Sequence, residues 1–363
     1  MMMSNQLNSY HAILLLLLLG ITGSSFANPD TSDPVNKTES FSIAGIEAAR
    51  GQAASGFIEV PEGIDEGSRI PISILNGALP GPVLALIAGT HGYEYAPIIA
   101  LQNIRAELDP QKLSGTVVIV HVANIPSFLG RTIYYSPIDG KNLNRQYPGD
   151  KDGSVSQRIA HAITTEVISR ADYVVDMHAG DGNEALRPYI YMPKTGDVKL
   201  DETIQNMAKA FGIDHIIIDR ADIPAPDASK FTDATALSLG KPAMTTESGQ
   251  RGSTSTEWTG IAEHGVWNLL RHFEMIEGTN KAPAAVVWLE NYEVIASPET
   301  GIFKPLVKDG YVVAEGGVLG ELLDFFGNKI TDIKAPFKGV VNYIIVTPPI
   351  TKGEPVAMMS KLK

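Results

Sequence analysis

The 363-residue chain contains no cysteine. Disulfides, thiolate nucleophiles, cysteine-ligated zinc and iron–sulfur clusters are therefore excluded, and any metal must be held by His, Asp or Glu. Basic runs are also missing: 29 Lys and Arg stand against 41 Asp and Glu, a formal charge of −12. That balance suits neither phosphate backbones nor anionic membranes, so nucleic acid is not an expected partner. The amino-terminal apolar run, AILLLLLLGI (12–21), has only ten residues, whereas a membrane-spanning helix needs about 20. No compositional bias points to disorder, collagen or coiled coil, because 34 Gly and 23 Pro are scattered without a period and 44% of residues are hydrophobic.

What is present begins with an address. The ten-residue run is followed by TGSSFA and NPD, with Ser25 and Ala27 as the small residues at a cleavage site. This reads as a signal peptide over 1–27 followed by a flexible lead-in over 28–40, and the expected location is outside the cytoplasm, in a bacterial periplasm. The leading region has no Lys or Arg, and an uncleaved amino-terminal anchor is the alternative; a lipoprotein is excluded by the missing Cys. Once the leader is removed, no stable membrane insertion is expected.

The remainder exceeds the roughly 250–300 residues at which single cores stop growing, and its character changes once. Up to about Arg271, short β-branched runs alternate with helical patterns. The runs include PVLALIAG (82–89), GTVVIVHVAN (115–124), DYVVDMHAG (172–180), HIIIDR (215–220) and KPAMTTESG (241–249); helices are expected over 96–108, 154–170 and 259–273. Near-continuous apolar strands separated by helices predict an α/β/α sandwich with a mostly parallel sheet, assigned to 41–280. From 281 to 363 the pattern is short strands and turns. Here 295–322 and 333–359 echo each other, each running Ile-x-(Ser/Ala)-Pro with a Gly three residues after the Pro. Two such half-repeats predict a small all-β module, which resembles the flattened barrel of biotinyl and lipoyl carrier domains. The stretch between the halves, ELLDFFGNKITD (321–332), lacks the carrier motif. Lys329 is accordingly read as an ordinary hairpin lysine and not as a cofactor attachment point.

Ligands of open α/β sheets collect beyond the carboxyl ends of the strands. After LALIAG comes Thr90-His91-Gly92-Tyr93-Glu94; after DYVVDM comes His178; after AMTT comes Glu247. His91 and Glu94, three residues apart, can close on one ion from a loop entering a helix. His178 supplies a third ligand, leaving a fourth position open, the arrangement of a catalytic zinc. Asp176, two residues before His178, faces the same side of its strand and is placed to fix the imidazole tautomer.

The ordered set THGYE (90–94), PIDGKNLNRQYPG (137–149), DMHAG (176–180) and TESG (246–249) resembles the succinylglutamate desuccinylase/aspartoacylase family of the zinc carboxypeptidase-like superfamily. The resemblance covers roughly 41–275. It implies one Zn²⁺ per chain on His91, Glu94 and His178, with Glu247 as general base and Asn144 and Arg145 gripping a substrate carboxylate. It further implies an arginine that steadies the oxyanion, for which Arg131 is the candidate. The residue chemistry agrees: a carboxylate beside activated water can move its proton, and a guanidinium offers a planar fork for a carboxylate. Arg187 and Tyr292 are further candidates for the pocket wall. The expected activity is hydrolysis of the amide bond of an N-acyl amino acid or similar carboxylate compound. Two alternatives stand beside it: a metallocarboxypeptidase-like hydrolase of short peptides, and an exported ligand-binding protein on the same fold.

Overall fold

Segments that read as uninterrupted apolar runs bury both faces, and they occupy the middle of one large sheet. The computed structural model describes residues 39–220, 223–282 and 285–363. The expected leader (1–27) and nearly all of the lead-in (28–40) lie outside the described residues.

In chain order, β1 (Phe41–Ile43) and β2 (Ile46–Ala48) form a small antiparallel pair. Then come β3 (Gln52–Val60), β4 (Ser68–Asn76), β5 (Leu79–Ala88), α1 (Tyr95–Glu107), β6 (Ser114–Val120) and α2 (Ile125–Gly130). They are followed by α3 (Val155–Glu166), β7 (Tyr173–His178), β8 (Glu184–Leu186), β9 (Tyr189–Lys194), α4 (Val198–Phe211) and β10 (His215–Arg220). Next are α5 (Thr232–Ser238), β11 (Ala243–Glu247) and α6 (Thr256–His272). The tail is all strand: β12 (Val287–Ala296), β13 (Gly301–Pro305), β14 (Val312–Val313), β15 (Val318–Leu323), β16 (Lys329–Lys334), β17 (Gly339–Ile345), β18 (Pro349–Ile350) and β19 (Pro355–Leu362).

The main sheet has 13 strands in the order β14-β17-β19-β12-β10-β9-β11-β7-β5-β6-β4-β3, with β8 attached to β17. Its centre is parallel: β6, β5, β7 and β11 run the same way, as do β9, β10 and β12, and the antiparallel β11–β9 pair joins the two blocks. Leu84, Leu86, Ile87, Val174, Val175 and Met244 are fully buried there, as strands covered on both faces must be. Helix α6 packs against both α1 and α4, while α2 and α3 contact β4 and α5 contacts β7 and β11. The mixed, mostly parallel α/β sheet expected from the sequence is therefore present.

Two local findings differ from the sequence reading. The helix expected over 154–170 is capped by Ser154 and Gln157 but ends at Glu166, and Ile168–Arg170 turn as a 3₁₀ segment. The Thr165 hydroxyl donates back to His161 O at 2.9 Å, a bond that competes with regular helix. Second, the tail does not stand apart. Strands β12, β17 and β19 extend the main sheet, and only β13, β15, β16 and β18 form a separate antiparallel sheet. Half-repeats reveal strands and turns, but not with which strands their edges pair. Lys329 lies in β16 with its ammonium 2.6 Å from Asp332 and 3.3 Å from Glu321. Among the described residues, no helix is long and apolar enough to cross a membrane.

Candidate metal centre

Parallel pairing gathers the chemistry. In β11 and β7, Glu247 stands directly opposite His178, and in β5 and β7 Ala88 stands opposite Met177. Three strand ends thus finish side by side, and His91 and Glu94 follow β5 within six residues. The turn between them closes tightly. A Cβ on Gly92 would fall 2.3 Å from Ser127 O and 2.5 Å from Thr132 O, both backbone atoms, so only glycine fits. Gly249, just past Glu247, has φ +119° and packs where a Cβ would come 2.7 Å from the Ala96 methyl.

Glu94 is the N-cap residue of α1 but makes no side-chain cap bond; its carboxylate turns to the histidines instead. Glu94 Oε1 is 2.6 Å from His91 Nδ1, and Oε2 is 2.8 Å from His178 Nδ1. All three side chains are buried. Each ring's other nitrogen is engaged: His178 Nε2 donates to Asp176 Oδ2 at 3.0 Å, and His91 Nε2 donates to Asn142 Oδ1 at 3.1 Å. Asp176 therefore does for His178 what the sequence expects of it, and Asn142, which the sequence reading passed over, does the same for His91.

This donor set fits a divalent cation. With Nε2 of each ring bonded to oxygen, both Nδ1 atoms face the Glu94 carboxylate, an arrangement that calls for positive charge between them, supplied by protons on the rings or by a cation. The three residues each offer one ligand atom, all within 4.8 Å of one another, so small side-chain shifts bring them onto one ion, which zinc ligands approach to about 2.0–2.2 Å. The electrostatics lead to the same conclusion. Burial opposes charge on His178, yet the Asp176 and Glu94 carboxylates outweigh it and raise its pKa well above the usual value. Glu94 is also opposed by burial, but His178 and His91 hold it down to about 2. The Glu94 carboxylate therefore stays ionised between the two rings, as a metal ligand must be.

The open side of the centre leads into a cavity of about 540 Å³. His91, His178, Glu247, Asn144 and Arg145 all line it; Glu94 and Asp176 stand behind. Burial, opposed by His178 and reinforced by Glu94, Glu184 and Asp176, raises the Glu247 pKa well above the ordinary carboxylate value. Its Oε2 is buried without a hydrogen-bond partner among the described residues. Asn144 is held by Thr232, whose backbone N–H donates to its Oδ1 at 3.1 Å, leaving its Nδ2 3.4 Å from His178 Nε2. The Arg145 guanidinium lies 4.5 Å from the Phe231 ring centre, and Nη1 donates to Asn144 O at 2.7 Å.

Three further expectations resolve differently. Arg131 is exposed in a left-handed C-cap of α2 at φ +50° and is not part of the cavity wall, so its placement gives the oxyanion role no support. Arg187 is taken up by Asp214 at 2.7 Å, outside the cavity. Tyr292 does line the cavity, because pairing of β12 with β10 carries it there. The sequence reading missed Asp219, Asp233 and Tyr191, which also form the wall. Asp219 lies near the end of β10, a strand-end signal of the kind that exposed His178, whereas Tyr191 lies in the middle of β9, where no such signal marks it.

The arrangement has known counterparts. Residues 80–273 match the succinylglutamate desuccinylase/aspartoacylase catalytic domain. The N-alpha-acetyl-L-2,4-diaminobutyric acid deacetylase of Halomonas elongata is 28% identical over 340 residues, covering 91% of this chain and 95% of that protein. Among solved structures, a succinylglutamate desuccinylase/aspartoacylase from Rhodobacter sphaeroides superposes with a TM-score of 0.76 at 26% identity, covering 86% of this chain and 95% of the other. The product-bound ectoine utilization protein EutE from Ruegeria pomeroyi superposes with a TM-score of 0.77 at 26% identity, over 85% and 95% respectively. With more than half of its length matched to the catalytic domain and its His-Glu-His centre assembled at the strand ends, the chain belongs to the succinylglutamate desuccinylase/aspartoacylase family.

Proposed function

We propose that the protein is a zinc-dependent amidohydrolase that removes the acyl group from an N-acyl amino acid. The observation that carries this reading is the convergence of His91, Glu94 and His178 on one point beside a cavity into which Glu247 projects from the neighbouring strand. A divalent ion held there supplies Lewis-acid chemistry, polarising the amide carbonyl and lowering the pKa of water to about 7.

The chain's own residues do the rest. Glu247 takes the proton of the attacking water at its unpartnered Oε2 and delivers it to the leaving amine nitrogen, the two halves of general acid–base catalysis. Arg145, held over the Phe231 ring, presents its fork to the carboxylate of the amino acid. Asn144, held by Thr232, keeps an amide donor beside His178. A purely ligand-binding role leaves no use for a buried carboxylate with a free oxygen beside the centre. The leader-like sequence at 1–27 supports an exported enzyme.

The wall also favours a class of leaving group. Asp219 and Asp233 line the cavity together with Arg145. Asp233 is raised to about 6 by burial and by the nearby Asp176 charge, so a protonated amine brought next to it relieves unfavourable charge. A substrate with one carboxylate and one free amine, as in N-acetyl diaminobutyrate, matches that mixed wall.

Two measurements test the reading. Turnover is compared across N-acetyl, N-succinyl and short-peptide substrates with and without a chelator; chelator-insensitive turnover, or cleavage of peptides alone, refutes it. Arg145→Ala is expected to raise KM for carboxylate substrates by about 10- to 100-fold, as loss of a charge-assisted bond worth about 1.5–3 kcal/mol does, with kcat changed much less. An unchanged KM moves carboxylate recognition elsewhere.

A further inference from the structure

One residue beside the centre adopts a backbone conformation that its type disfavours. Tyr134 has φ +61°, the left-handed region where a bulky side chain is strained and is kept only when its surroundings impose it. Its ring meets the His91 ring edge-on, with centroids 5.8 Å apart and planes at 88°. Its hydroxyl donates to Glu184 Oε1 at 2.5 Å, and its backbone N–H points to Asp181 Oδ2 at 3.4 Å. The same loop supplies Asn142, which accepts from the far nitrogen of His91. Two contacts from one loop therefore set the position and tilt of this ring.

The anchor of that loop comes from far along the chain. Glu184 is buried, and its other oxygen accepts from Asp181 N at 3.0 Å. It begins β8, whose partner is β17 of the tail, with Glu184 opposite Ile345 and Leu186 opposite Tyr343. Val346 N donates to Asn183 O at 2.9 Å and Arg187 N to Asn342 O at 3.0 Å, fastening both ends of this short strand to the tail. A three-residue strand has few bonds of its own; the tail holds both its ends, and Arg251 N donates to Glu184 O at 3.1 Å from the α/β side.

We infer that Tyr134 is a positioning residue for the metal ligand His91, and that the carboxy-terminal strands hold the metal centre in shape through β8, Glu184 and Tyr134. The tail then has a task beyond closing the cavity: it fixes a ligand it never touches. This inference rests on the proposed metal-site reading, and it predicts an effect on ion affinity that is separate from turnover.

The test measures the Zn²⁺ dissociation constant by competition with a chromophoric chelator, on full-length wild type, Tyr134→Phe, Glu184→Asp and Tyr135→Phe. Far-UV circular dichroism checks that each is folded. Tyr134→Phe deletes only the anchoring hydroxyl, and Glu184→Asp withdraws the acceptor while keeping its charge. Both are expected to weaken Zn²⁺ binding by about 3- to 10-fold, less than the roughly 10- to 100-fold cost of losing a direct hydrogen-bond partner of a metal ligand, because neither group bonds His91 itself. Tyr135→Phe, at an exposed neighbour, is expected to bind as wild type. A purely structural tyrosine would lower melting temperature without changing the affinity of the folded protein. If Tyr134→Phe does not fold, Glu184→Asp decides. Folded variants within twofold of wild type overturn this inference alone, whereas a wild type that takes up no Zn²⁺ overturns the proposed function as well.

Discussion

Glu247→Gln is expected to retain its metal and to lower kcat by about 10²- to 10⁴-fold, the range attributed to a positioned acid–base group. The substitution is nearly isosteric and removes only the ability to accept a proton. The geometry makes the loss hard to compensate. Glu247 faces the cavity from the end of β11, in register with His178, and one of its oxygens has no hydrogen-bond partner among the described residues. Asp176 and Glu94 are both committed to imidazoles. Steady-state kinetics on the best substrate, paired with metal content by mass spectrometry, check this. A variant within tenfold of wild type shows that the proton leaves by another route, and a variant that loses metal assigns Glu247 to ligation.

Glu94→Ala is expected to abolish both stoichiometric metal binding and detectable turnover, and also to destabilise the metal-free protein. The last effect separates this position from an ordinary ligand. Its carboxylate is the shared partner of two buried imidazoles, 2.6 Å from one and 2.8 Å from the other. Removing one member of a buried charged group leaves the others uncompensated, a cost of about 3–5 kcal/mol. His91 keeps only Asn142 and His178 keeps Asp176. Chemical denaturation of the apo forms measures the loss, and equilibrium dialysis against Zn²⁺ measures binding. An apo variant as stable as wild type would show that the carboxylate is balanced only when the ion is present.

How far each part was legible depends on the distance over which its cause acts. The central strands were readable because burial on both faces requires uninterrupted apolar residues, as in VLALIA of β5 and VVDM of β7. The cluster itself was readable because chemistry-bearing side chains collect where such runs stop, and His91, Glu94, His178 and Glu247 each follow or end one. Asp176 was legible from strand alternation alone. Arg131 was named from sequence order alone, which carries no information about the left-handed turn that leaves it exposed.

The amino-acid sequence by itself determined the α/β class, the His-Glu-His set and the carboxylate that strand ends would bring together, and the exclusion of thiolate chemistry. These depend on residue type, on local periodicity and on what each strand end carries. Only the tertiary structure decided that the tail completes the main sheet, that Tyr292, Asp219 and Asp233 form the wall with Arg145, and that Asn142 and the Tyr134–Glu184 pair hold His91. Those features arise from pairings between segments separated by 50 or more residues, as between Tyr134 and Glu184. Such partners are chosen by sheet register and packing, which no local pattern in either segment records.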